Sequence, residues 1–75
     1  MFWVKQPKYA YIVTIILSTG NHYYFQWYSN YLYKSVTDLL ENASRRSGGK
    51  LVFQYQGKEF VINMKEIILK EMEIK

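Results

Sequence analysis

From Tyr9 to Leu17 the chain is almost continuously apolar, and the apolar residues occupy both alternating sets. Tyr11, Val13, Ile15 and Leu17 make one set, and Ala10, Ile12 and Ile16 make most of the other, with Thr14 the exception. β-branched and aromatic residues in such a run predict a strand. Apolarity on both faces predicts that the strand is central, or covered on its second face. Pro7 lacks a backbone donor and limits extension toward the N-terminus. Ser18-Thr19-Gly20-Asn21 predicts a turn, with Gly20 supplying a positive φ. A second strand, His22 to Tyr28, follows. A hairpin loop of odd length sets Val13, Ile15 and Leu17 beside Tyr23, Phe25 and Trp27, giving one strongly apolar face. A loop of even length mixes apolar and polar sets. A one-residue slip exchanges every side chain between faces, so burial favours the odd loop. Tyr24, Gln26 and Tyr28 then share the opposite face with Thr14.

The period changes after Asn30. Leu32, Val36, Leu39, Leu40 and Ala43 recur at helical spacing, which predicts a helix between Asn30 and Arg46. Ser35-Val36-Thr37-Asp38 resembles a capping box and marks a candidate start, with Tyr31 to Lys34 as a lead-in. Asp38 and Glu41 lie early and Arg45-Arg46 late, as the helix dipole prefers. Gly48 and Gly49 end the element. Leu51 to Tyr55 and Glu59 to Asn63 read as a second hairpin about Gln56-Gly57-Lys58. The tail carries two patterns. Met64, Ile67, Ile68 and Met72 suit a helix, whereas Ile68, Met72 and Ile74 alternate as in a strand, with Glu71 and Glu73 facing away. A short turn over Asn63 to Glu66 followed by a strand is the preferred reading. The fold class is therefore α+β: residues 9–75 as one domain of order ββαββ(β), an antiparallel sheet with one helix on a face, preceded by an apolar and basic lead-in over residues 1–8.

Size bears on this picture. A chain of 75 residues buries only about 60% of its unfolded surface, so burial against a partner or a second copy is expected to matter. The chain has no cysteine, which removes disulfides and thiolate sites and fits a reducing, cytoplasmic setting. Lys5 and Lys8 ahead of the apolar run imitate a secretory leader. The run is too short for a bilayer span, contains Tyr9, Tyr11 and Thr14, and has no small-x-small cleavage site, so a buried strand is the better reading. The Asn42-Ala43-Ser44 sequon falls within the predicted helix and is read as chance.

Candidate chemistry is sparse. His22 is the single histidine and Asp38 the single aspartate. No serine lies in a nucleophile-elbow context, so no triad is expected and the chain is not read as an enzyme. One histidine and no cysteine cannot make a zinc site of the usual kind, and no calcium-loop spacing occurs. No metal or other cofactor is expected. Arg45-Arg46-Ser47-Gly48-Gly49-Lys50 lacks the phosphate-loop spacing and follows a helix, whereas a phosphate cradle precedes one.

Aromatic residues are what the chain has in abundance: eight Tyr, four Phe and two Trp, densest from His22 to Tyr33. Rings bring large contact area at little rotamer entropy, and so serve either as core or as recognition surface. Tyr23, Phe25, Trp27 and Phe53 are expected in the core. Tyr24 and Tyr28, with Gln54, Gln56 and Tyr9 nearby, are expected on the face away from the helix. Met1-Phe2-Trp3-Val4 is a separate apolar clue, suited to folding over the sheet or docking into another chain. Net charge is +4, with the lysines and arginines spread along the chain and Arg45-Arg46 the only adjacent pair. The brevity, the hairpin-helix-hairpin order and the lack of catalytic groups resemble small accessory proteins of phages and mobile elements.

The functional expectation is a non-enzymatic protein that binds another protein, as an accessory or inhibitor, or that assembles with itself. Its contact residues are expected to be Tyr24 and Tyr28, with Trp3, Arg45 and Arg46 beside them. The alternative is a binder of single-stranded nucleic acid that stacks bases on the same rings and uses Lys50, Lys58 and the arginine pair. The strand signature of RNA-recognition folds is missing: Gly49-Lys50-Leu51-Val52-Phe53 has the wrong order and too few rings.

Overall fold

The computed structural model describes residues 6–75. Strands β1 (Tyr9–Leu17) and β2 (His22–Ser29) form the first hairpin, helix α1 (Val36–Arg45) follows, and β3 (Lys50–Tyr55) and β4 (Lys58–Asn63) form the second hairpin. A 3₁₀ turn, Met64–Glu66, leads into β5 (Ile67–Ile74). The α+β class and the order ββαββ(β) are as the residue pattern predicts, and the tail is a turn and a strand.

Strand β1 is central, as its two-sided apolarity requires. It pairs antiparallel with β2 on one edge and β5 on the other. The Leu17 N–H donates to the Asn21 carbonyl (2.9 Å) and the Gly20 N–H to the Leu17 carbonyl (2.8 Å), leaving Ser18-Thr19-Gly20 as the loop. Gly20, at φ 92°, supplies the left-handed residue that such a loop needs. The loop is odd, and the register follows: Tyr11 faces Trp27, Val13 faces Phe25 and Ile15 faces Tyr23.

The strands make two sheets, β2-β1-β5 and β3-β4, where the residue pattern suggested one. The reason lies in the rings. Phe25 stacks on Phe53 (4.8 Å, 17°), and Tyr23 packs on Phe53, Tyr55 and Phe60. The second hairpin thus meets the first through its side-chain face, and β5 takes the free edge of β1. Helix α1 brings Leu39, Leu40 and Ala43 into the same core, against Tyr11, Val13 and Ile15. Leu51, Phe53 and Ile62 complete it. Burial of these side chains, about 1.5–3 kcal/mol for each large aliphatic or aromatic one, is the main force holding helix and hairpin on one face.

The helix starts at Val36 because the Ser35 hydroxyl accepts the Asp38 N–H (3.2 Å). This leaves Leu32, which the spacing placed on the helical stripe, in the lead-in and 57% exposed. The lead-in is held instead by a buried hydroxyl. Tyr11, fully buried, donates from Oη to the Tyr31 carbonyl (2.6 Å) and accepts from the Tyr33 N–H (2.9 Å). Tyr33 in turn donates to Asn42 Oδ1 on the helix (3.0 Å). The Ser18 N–H bonds the Glu66 carbonyl (2.8 Å), tying the turn before β5 to the first hairpin.

In β5 the register shifts between Ile16 and Leu17: Leu17 faces Ile67 and Ile16 faces Leu69. Ile68 is the extra residue of this bulge and is 67% exposed, so it departs from the alternation that the pattern assigned it. Beyond the bulge Met72 faces Val13 on the core side, and Glu71 and Glu73 face Thr14 and Ile12 on the other.

Two expectations follow. Tyr11→Phe keeps the ring but strands the Tyr33 N–H and the Tyr31 carbonyl, so it should lower unfolding stability by about 1–3 kcal/mol. The urea midpoint should fall at constant slope; an unchanged midpoint would show that the hydroxyl anchors nothing. The β3-β4 turn is the pair Gln56-Gly57, both with positive φ (51° and 78°), since Lys58 already pairs with Tyr55. Asn tolerates this conformation better than Gln. Gln56→Asn should therefore raise stability by about 0.5–1 kcal/mol, seen as a higher melting temperature.

Candidate functional site

Pairing β2 and β5 to the two edges of β1 builds an outer sheet face from three rows. The middle row is Ala10, Ile12, Thr14 and Ile16, all half-buried. On β2 stand His22, Tyr24, Gln26 and Tyr28, and on β5 Leu69, Glu71 and Glu73. Across the strands the groups line up as Tyr24–Thr14–Glu71 and Gln26–Ile12–Glu73. Helix α1 and the β3-β4 hairpin pack on the opposite face, from which Tyr55 reaches the edge of Tyr24, so among the described residues this one has no covering layer.

The two tyrosines are well displayed. Tyr24 is 59% and Tyr28 57% exposed, whereas their neighbours Tyr23 and Trp27 pack against the core and Phe25 is buried within it. Neither exposed ring is loose. Tyr24 meets Tyr55 edge-on (5.3 Å, 84°), and the Tyr28 hydroxyl donates to Gln26 Oε1. Rings restrained in this way lose little entropy when a ligand covers them.

Across β1 from the rings stand two carboxylates. Ile12, Thr14, Glu71, Met72 and Glu73 border a shallow hollow of about 210 Å³. Among the described strand residues Glu71 and Glu73 are the only charged ones that point this way, while Lys75, whose N–H donates to the Ala10 carbonyl (2.8 Å), stands level with Tyr28 just past the end of β5, and Lys8 lies just ahead of β1. Residue patterning missed these two glutamates as site residues. Their alternation was legible, but only the β1–β5 pairing puts them on the face of Tyr24 and Tyr28.

The remaining candidates lie elsewhere. Arg45 and Arg46 end the helix, on the far side of the sheet from Tyr24 and Tyr28. Arg45 borders a second groove, of about 430 Å³, with Tyr31, Leu32 and Asp38. Gln54 and Gln56 belong to the second hairpin rather than to the Tyr24 face, and Tyr9 packs against the core. Lys50 and Lys58 sit at opposite ends of that hairpin, about 17 Å apart at the usual strand rise. Trp3 and the rest of the Met1–Val4 segment lie outside the described residues. His22 is exposed on the outer face, remote from Asp38 in the first turn of the helix. Among the described residues no three His, Asp or Glu side chains converge, and no helix is long and apolar enough to cross a membrane.

Comparison with known proteins adds no relative: no family model, curated protein or solved structure matches this chain.

The division of the rings between core and surface makes a direct prediction. Tyr28→Ala should change unfolding stability by no more than about 0.5 kcal/mol, and Tyr24→Ala by up to about 1.5 kcal/mol through its edge contact with Tyr55. Phe25→Ala should cost about 3–5 kcal/mol. Denaturant melts of the three variants would test the division, and a Tyr28→Ala loss as large as that of Phe25→Ala would make Tyr28 a core residue.

Proposed function

We propose that this protein is a non-catalytic binding module that docks onto another protein through the outer face of its β2-β1-β5 sheet, as an accessory or inhibitor protein of the cytoplasm. The observation that carries the reading is the pair of exposed, restrained rings, Tyr24 and Tyr28, beside the half-buried apolar row of Ile12 and Ile16. Tyrosine is among the residues that dominate protein–protein binding energy, because its ring buries much area and its hydroxyl keeps a partner. Small size supports the same reading, since a domain with so modest a core gains stability from whatever binds its folded form. The lack of a matching family fits a short accessory protein of the type carried by phages and mobile elements.

Single-stranded nucleic acid is the weaker ligand for this face. Stacking of bases on Tyr24 and Tyr28 needs cations alongside to neutralise the phosphates. Across β1 from these rings, β5 carries Glu71 and Glu73, with Lys75 only at its end, and Arg45, Arg46, Lys50 and Lys58 lie off the face.

Titration of the intrinsic Trp and Tyr fluorescence with single- and double-stranded oligonucleotides at two salt concentrations separates the two ligands. No saturable quenching is expected at either salt, whereas saturable, salt-sensitive quenching would overturn the protein-binding reading. In parallel, affinity capture with the wild-type chain should retain a partner that the Tyr24→Ala/Tyr28→Ala variant loses and a Lys58→Ala variant keeps. A partner retained equally by all three would remove the outer face as the docking surface.

A further inference from the structure

The geometry points to a more specific ligand for the same face: a partner segment that places an arginine or lysine side chain in the hollow beside Glu71 and Glu73, while its neighbouring residues cover the Tyr24 and Tyr28 rings across β1. The inference rests on the docking reading above and adds the chemistry of the occupant. Strands β2 and β5 flank β1, so the aromatic row and the acidic row stand about 10 Å apart, two strand spacings. Between them the floor is Ile12 and Thr14. The floor separates a row with two exposed rings from a row with two carboxylates, and the hollow lies on the carboxylate side, between β1 and β5, with Glu71 and Glu73 on its rim.

Each part of that surface selects for a cationic side chain with a long apolar stem. Glu71 and Glu73 are two residues apart on one face of a strand, hence about 7 Å apart along it. Two like charges at that distance repel, and a guanidinium or ammonium group between them turns the repulsion into attraction. The methylene stem lies along Ile12, as such stems do on apolar surface. Tyr24 and Tyr28 offer ring faces to a cation or to the residues next to it. Charge complementarity also argues against a second copy of this chain as occupant. The chain is basic overall, at +4, but the faces that would meet in a symmetric dimer both carry this acidic row.

A random peptide library displayed on phage and panned against the immobilised full-length chain supplies the probe. Enriched peptides should carry arginine or lysine, and the same peptides, synthesised, should bind the free chain. Glu71→Gln/Glu73→Gln should weaken them about three- to tenfold at low salt, and less at high salt. Thermal melts establish that this variant is folded, and a Glu71→Lys/Glu73→Lys variant should abolish the binding. Peptides without a cationic residue, or affinity unchanged in the glutamine variant, would overturn the inference. If such peptides still require Tyr24 and Tyr28, the docking face stands and only the cationic specificity fails. If they require neither the tyrosines nor the glutamates, or if none is enriched, both readings fail. Self-association of the free chain that the glutamine variant abolishes would assign the face to a second copy instead.

Discussion

The register between β1 and β2 is the constraint on which everything else in this structure depends. Eight residue pairs along two strands each have a choice of face, and the loop Ser18-Thr19-Gly20 decides them together, because its parity determines which residues oppose which. With the observed register, Val13, Ile15, Phe25 and Tyr23 share a face and make the platform onto which helix and second hairpin pack. Shifted by one residue, the same strand would send His22, Tyr24, Gln26 and Tyr28 inward, with polar atoms to satisfy and no helix stripe to match. The platform also explains why the aromatic run is not a single object. Within β2 its odd members Tyr23, Phe25 and Trp27 belong to the core and its even members Tyr24 and Tyr28 to the outer face.

A platform alone does not settle the path of the chain that leaves β2. That path is set by the Tyr11 hydroxyl, which serves a carbonyl and an amide of the lead-in from within the core. A phenylalanine there would supply the same apolar area and no direction. The buried hydroxyl therefore links the two levels of the fold: strand packing fixes the ring, and the ring places the segment that delivers Ser35 to its capping position. The helix then arrives with its stripe already facing the platform.

Most of this was legible in the residues. The two-sided apolarity of Tyr9 to Leu17 implied a central strand, the burial argument selected the odd loop, and Ser35 to Asp38 marked the start of the helix. What could not be read was the identity of non-local neighbours. Nothing between Ile67 and Ile74 says that this strand pairs with β1 rather than extending the second hairpin, so Glu71 and Glu73 read as solvated charges at the end of the chain. Their pairing opposite Thr14 and Ile12 is a tertiary fact. The division into two sheets has the same origin, since the stacking of Phe25 on Phe53 outweighs edge-to-edge pairing only once both rings are in place. Leu32 fits the helical period but lies ahead of the cap, and local capping chemistry prevails over periodicity there. The bulge at Ile68 likewise left no mark in the alternation.

The outer face can be weighed by asking what the fold gains from its composition. An antiparallel sheet with one covered side ordinarily presents polar residues on the other. Here the middle row keeps Ile12 and Ile16, and the flanking row keeps two tyrosines, although Thr or Lys would pair across the strands as well and dissolve better. Glu71 and Glu73 supply polarity on one flank, and on the other His22 and Gln26 alternate with the two rings. None of these choices improves the core, which lies wholly on the opposite face. Side chains that contribute little to folding and leave apolar surface beside aligned charge are what supports the proposed contact with a partner. A face with one aromatic and one anionic border constrains the chemistry of that contact more closely than the number of its tyrosines does.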